Sequence, residues 1–183
     1  MGEITRLAIP DVLLITPRKF GDERGFFSET FSKRRLAEAG FVGEFVQDNH
    51  SMSARRGTLR GLHFQRAPHA QDKLVRVARG AIFDVAVDIR AGSPTFGRWV
   101  GAELSAENWS QLLVPAGFAH GFVTLTQHAE VLYKTTDFYA PDAEGGLAWN
   151  DPQIGIDWPI DAVEIVTNDR DAGWPGLDRL QPL

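Results

Sequence analysis

Cysteine is absent from this chain of 183 residues, so within it there are no disulfides, no thiolate nucleophile and no Cys-ligated zinc. Long apolar runs are also missing: none approaches the roughly 18 residues of a membrane span. The N-terminus lacks the charged, apolar and small-residue order of a secretory signal, so the expected setting is cytoplasmic, away from membranes. Basic excess is missing too. The net charge is −5, which argues against general nucleic-acid binding. Helical patterning is scarce. One segment, Lys33–Ala39, reads as a helix, with Ser32 placed to cap it and Gly40 to end it. There is no internal repeat, low-complexity tract or linker, and a single domain over 1–183 is expected.

What the chain has is short apolar runs punctuated by 18 glycines and 10 prolines, the pattern of an all-β sandwich or barrel. Ala81–Ile89 is the clearest strand: Phe83, Val85, Val87 and Ile89 share one face, and Asp84 and Asp88 fall on the other. Further strands are expected at Val12–Thr16, Phe26–Phe31, Phe45–Ser53, Thr58–Phe64, Leu74–Ala78, Arg98–Leu104, Gln111–Val114, Gly121–Leu125 and Ala129–Tyr139. Strands this numerous with so little helix predict a jelly roll. Its core would run roughly over 45–140, with short helices, an N-terminal extension and a loop-rich, acidic C-terminal one.

Charge is unevenly spread along the chain. Between Arg55 and Arg79 stand seven basic residues against Asp72 alone, whereas from Asp137 onward ten acids face only Arg170 and Arg179. A basic island in an acidic protein suits a pocket for a small anion such as a phosphate ester. Within the island, Gly57-Thr-Leu-Arg-Gly-Leu-His-Phe-Gln65 sets His63 among Arg60, Lys73 and Arg76. Histidine exchanges protons near neutral pH, and cations around it suit an oxyanion that develops during reaction. Regular alternation places Arg60 and His63 on opposite faces of their strand. Either Gly61 marks a bulge that re-aims one of them, or Arg60 reaches the pocket from its rim.

Two other segments carry chemistry. Pro115-Ala-Gly117-Phe-Ala-His120 has the P-x-G-x-x-H form of a cupin motif. In metal cupins a histidine of this kind joins an H-x-H pair, but here the matching stretch is His63-Phe64-Gln65. His63 and His120 are too few for the usual metal site, so no metal is expected. Along Ala129–Tyr139, alternation aligns Val131, Tyr133, Thr135, Asp137 and Tyr139. A phenol with a pKa of about 10 is protonated at neutral pH and can serve as a proton donor.

Together these segments, with Gln71–Val77, Gly80–Arg90 and Gly145-Gly-Leu-Ala-Trp-Asn-Asp-Pro152, resemble the dTDP-4-dehydrorhamnose 3,5-epimerase family over about 20–177. The resemblance implies a cupin-like jelly roll and epimerisation of dTDP-4-keto-6-deoxy-D-glucose at C3 and C5, with neither metal nor redox cofactor. It assigns His63 as general base, Tyr133 as general acid and Lys73 beside the sugar carbonyl, with His120 as a substrate contact. Phe20, Arg24, Glu29, Gln47, Asp48, Asn49, Arg60, Glu144 and Arg170 match nucleotide- or sugar-binding positions, and Tyr139 the residue that stacks on thymine. The aspartate that orients the base falls at Asp171 by its distance to Pro175 and Leu177. Asn168 departs from the family motif, and Asp169 lies two residues away. The family exchanges its N-terminal part between two subunits, so a homodimer is implied in which Arg24, Glu29 and Gln47–Asn49 serve the partner's pocket. Two other functions use the same fold: a keto-sugar epimerase acting at C3 alone, and a non-enzymatic sugar-nucleotide-binding jelly roll. The latter has no use for a His–Asp pair opposite a tyrosine.

Overall fold

Short runs rich in β-branched and aromatic residues, cut by glycine and proline, form thirteen strands, with two short α-helices and three 3-10 turns, among the described residues of a computed structural model, 2–181 and 183. In chain order they begin with β1 (Glu3–Arg6), β2 (Leu13–Thr16), β3 (Phe20–Asp22), β4 (Gly25–Phe27) and α1 (Lys33–Glu38). Next come β5 (Gln47–Ser53), β6 (Leu59–Gln65), β7 (Lys73–Arg79), β8 (Ala81–Asp88) and β9 (Trp99–Ser105). The last are β10 (Gln111–Val114), β11 (Phe118–Thr124), β12 (Ala129–Thr135), β13 (Glu144–Gly146) and α2 (Asp169–Ala172). Two antiparallel sheets face each other, ordered β1-β2-β10-β7-β12-β5 and β13-β6-β11-β8-β9, and β3 and β4 form a separate hairpin. This is the cupin-like jelly roll. β1, β2 and β13 lie outside the expected core span yet complete the sheets.

Three apolar clusters hold the layers. Between the sheets, Val75, Val77, Ile82, Ala86, Leu104, Leu112 and Phe122 form the barrel interior. The outer face of the five-stranded sheet (Leu62, Phe64, Val85, Val87, Ile89) is covered by Leu147, Ile154 and Leu180 of the C-terminal segment. Leu36 of α1 packs with Leu13, Leu74 and Leu113 on the outside of the six-stranded sheet. β8 is therefore buried on both faces. The alternation read along it holds, but the face that carries Asp84 looks into the barrel, and both Asp84 and Asp88 are 0% exposed.

Several element boundaries differ from expectation. The strand expected at Phe26–Phe31 stops at Phe27, because Ser28 and Thr30 are held by Trp109 Nε1 and Gln111 Nε2 rather than by a ladder. β12 ends at Thr135, not Tyr139. Thr135 Oγ1 donates to the Asp137 carbonyl and Asp137 Oδ1 accepts from the Phe138 amide, so a side-chain-bonded turn replaces the strand. β11 begins at Phe118, directly after Gly117 at φ +87°, where an added Cβ would meet Arg90 Cγ at 2.5 Å. Ser32 occupies the α1 N-cap position without a side-chain cap bond, and Gly40 follows the helix at φ +98°. Among the described residues, no helix is long and apolar enough to cross a membrane.

Candidate active site

The polar end of the barrel interior is built around a one-residue slip in β6. His63 pairs with His120 of β11 but Arg60 pairs with Phe122, so three steps on β6 match two on β11. The extra residue is taken up at Gly61, whose φ is +135° and whose Cβ, if it had one, would lie 2.6 Å from Gly121 Cα. Only glycine tolerates that combination. The slip turns Arg60 and His63 toward the same cavity, which Lys73, His120, Tyr133 and Asp171 also line.

Asp171 reaches this cavity from the C-terminal segment. Asn168 caps α2 by accepting from the Asp171 amide at 2.7 Å, and the cap aims the Asp171 side chain inward. Asp171 Oδ1 lies 2.7 Å from His63 Nε2, and its Oδ2 accepts from the Gly61 amide at 3.1 Å. Asp169, by contrast, is exposed. Burial raises the Asp171 carboxyl, but the bonds from His63 and Gly61 outweigh it and hold the group below the usual carboxylate range. An ionised carboxylate only accepts, so Nε2 carries the imidazole proton and Nδ1 keeps its lone pair for the cavity.

The facing sheet supplies the opposite wall. Tyr133 on β12 and Lys73 on β7 point between the sheets, and Lys73 Nζ donates to the His63 carbonyl at 3.3 Å. Desolvation lowers Lys73 to about 8 while Asp84 and Glu144 oppose it, so the ammonium form still dominates at neutral pH. Burial raises the Tyr133 phenol, Arg60 opposes this and Glu144 adds to it. The phenol therefore carries its proton throughout the neutral range. Ser51 Oγ and Asn49 Nδ2, on the inward face of β5, are buried and unpartnered among the described residues. Buried polar atoms left open at a cavity wall are places for a polar ligand to bond.

An adjoining cavity of about 350 Å³ shares His63, Lys73 and Tyr133 and runs out past Gln47, Tyr139 and Glu144. Tyr139 Oη donates to Glu144 Oε2 at 2.9 Å, its amide donates to Gln47 Oε1 at 3.2 Å, and Arg170 pairs with the same Glu144. Gln65, at the position of a metal cupin's second histidine, spends its amide on this loop. It donates to the His69 and Phe138 carbonyls and accepts from the Ala140 amide. Tyr139 stays 52% exposed, open to stacking.

Within one chain the structure brings together His63, Asp171, Lys73, Tyr133, Arg60, His120 and Arg170, and beside them Gln47, Asn49, Tyr139 and Glu144. It does not bring Phe20, Arg24, Glu29 or Asp48 to these cavities. Phe20 and Arg24 sit on the exposed β3–β4 hairpin, where Arg24 pairs with Asp22. Glu29 pairs with Arg35, and Asp48 lies on the outer face of β5, paired with Lys134. Sequence reasoning missed Asp84, which bonds His120, as well as Ser51, Phe122 and the capping role of Asn168. An acid inside the otherwise apolar run Ile82–Val87 was the available signal for Asp84.

Comparison with known proteins follows the same lines. A family model described as dTDP-4-dehydrorhamnose 3,5-epimerase matches residues 6–179. A dTDP-4-dehydrorhamnose 3,5-epimerase from Pseudomonas aeruginosa is 61% identical over 168 residues, 91% of this chain and 92% of that one. Among solved structures, a dTDP-6-deoxy-D-glucose-3,5-epimerase from Legionella pneumophila, in complex with dTDP-4-keto-L-rhamnose, superposes with a TM-score of 0.94. It is 46% identical, and the match covers 99% of this chain and 95% of that one. A 3′-monoepimerase from Streptomyces bikiniensis, in complex with dTDP-quinovose, matches with a TM-score of 0.87 at 37% identity over 94% of this chain and 86% of that one.

Proposed function

The chain belongs to the dTDP-4-dehydrorhamnose 3,5-epimerase family, and on that premise we propose how its own residues invert C3 and C5 of dTDP-4-keto-6-deoxy-D-glucose. Both carbons lie α to the C4 carbonyl, so a proton leaves either one if the enolate at O4 is stabilised. His63 Nδ1 takes that proton, and Asp171 holds the tautomer and balances the imidazolium. The Lys73 ammonium faces O4. Removing a donor of this kind costs roughly 10²–10³ in rate. Tyr133 returns a proton to the opposite face, which inverts the centre. His63 then holds one proton more and Tyr133 one fewer, and exchange with solvent resets both before the second carbon reacts.

The observation that carries this reading is the division of the groups between sheets: His63 stands on β6 of one and Tyr133 on β12 of the other. Removal of a proton from one face and delivery to the other requires that separation. The adjoining cavity takes the nucleotide, with thymine on Tyr139, and Arg60 and Arg170 supply positive charge for the diphosphate. Phe20, Arg24, Glu29 and Asp48 complete a pocket only across a homodimer, with the β3–β4 hairpin of each chain laid into the other's site. Three exposed phenylalanines on that hairpin, Phe20, Phe26 and Phe27, support such a docking.

The test is to run the reaction in D₂O and follow it by proton NMR. Deuterium should enter at both C3 and C5. Label confined to C3 would identify a mono-epimerase, and no label with dTDP still bound would identify a binding module.

A further inference from the structure

Asp84 is the buried acid that the mechanism above leaves without a task. It is 0% exposed, its Oδ1 lies 2.7 Å from His120 Nε2, and its Oδ2 is buried without a partner among the described residues. Its neighbours on the sheet are apolar: Ile82 and Ala86 on the same face of β8 and Phe122 opposite on β11 all belong to the barrel core. A carboxylate with one open oxygen costs stability in such a place, and an apolar residue of similar size would pack better. A group kept where it destabilises is a candidate for function.

We propose that Asp84 is a positioning residue of this site: it fixes the orientation of His120 against the sugar, and its charge holds the Lys73 ammonium in the cleft. The proposal rests on the reading of Lys73 as the group facing O4. Accepting from Nε2–H, Asp84 leaves His120 with an unprotonated Nδ1, an acceptor suited to a sugar hydroxyl. Lys73 shares its cavities with His63 and Arg60 from β6, Tyr133 from β12, His120 from β11, Glu144 from β13, and Arg170 and Asp171 from α2, while Asp84 on β8, behind His120, acts on it through its charge. Glu144 is already paired with Arg170 and bonded by Tyr139, whereas among the described residues Asp84 pairs with no lysine or arginine. Desolvation pulls Lys73 to about 8 even with both acids present. Without Asp84 the amine would lose its proton at lower pH, and O4 would lose its cation.

Asp84→Asn keeps the size and removes the charge, and its amide can present either its oxygen or its N–H to His120 Nε2. At about pH 8 its kcat should fall at least about tenfold with KM within about threefold, and the loss should shrink at about pH 6.5, where Lys73 protonates unaided. The melting temperature should stay level or rise. A kcat within about twofold of wild type at both pH values would overturn the proposal. So would an equal loss at both accompanied by a lower melting temperature, which marks a structural role. If Asp84→Asn does not fold, Asp84→Ser, with room for a water beside His120, gives the same readout. Failure of both to fold would make Asp84 structural. Lys73→Met separates the two levels: if it stays active, the reading of Lys73 itself fails, and if it is inactive while Asp84→Asn behaves as wild type, only the role of Asp84 falls.

Discussion

His63 has two ring nitrogens in different surroundings: Nε2 is bonded to Asp171, which leaves the lone pair on Nδ1. Replacement by alanine should cost turnover about 100- to 10,000-fold. Binding of dTDP, measured by calorimetry, should change little. A variant that keeps more than about a tenth of wild-type kcat would show that another group takes the proton. Asp171→Asn should be nearly as damaging, because an amide can offer N–H to Nε2 and force the ring proton onto Nδ1. Asp169→Asn should leave kcat within about twofold, since that side chain is exposed. The opposite ranking in kcat would overturn the assignment of Asp171 to His63.

At the scale of elements, two local devices shape the barrel. One is the Gly61 slip that lines up Arg60 with His63. The other is the clamp after β8, where Asp88 accepts from Arg90, Ser93 and Thr95, and Arg90 reaches on to Asp11. Burial would raise the Asp88 carboxyl, but these bonds win and hold it well below the usual carboxylate range. A folded-state pKa below the unfolded value near 3.9 stabilises fully above about pH 5 and is lost as pH falls below about 4. Wild type should therefore lose melting temperature across that window. Asp88→Asn should be less stable at neutral pH by about 2–4 kcal/mol and show a flatter acid limb. Parallel pH profiles in scanning calorimetry would remove Asp88 as the origin of the effect.

For the whole molecule, Arg24 does not line the His63 cavity of its own chain, and that sets a test of the proposed exchange between subunits. Chains carrying His63→Ala and chains carrying Arg24→Ala should each be impaired. Refolded together at equal amounts, half the dimers are mixed, and each mixed dimer holds one site with both residues intact. About a quarter of all sites should then be active. Activity no higher than the sum of the separate variants would show that Arg24 serves its own chain or none.

Composition and spacing by themselves determined the all-β class and most strand positions, because apolar alternation and turn residues are local signals. The motifs determined the family and named His63, Lys73 and Tyr133. What lay beyond local signals was decided by packing. Whether Arg60 and His63 share a face depended on the register between β6 and β11, set by the close approach of Gly61 and Gly121. Which aspartate meets His63 depended on the cap that Asn168 places on a four-residue helix far along the chain. Tyr139 lies beside Gln47 and Glu144 by way of a turn held by Gln65, not by continuing the strand that alternation suggested. Asp84 read as one of two acids on the polar face of a strand. Only the C-terminal segment, by covering the other face, showed that Asp84 points into the barrel. Alternation along a strand tells which residues share a face, and the rest of the molecule decides what that face meets.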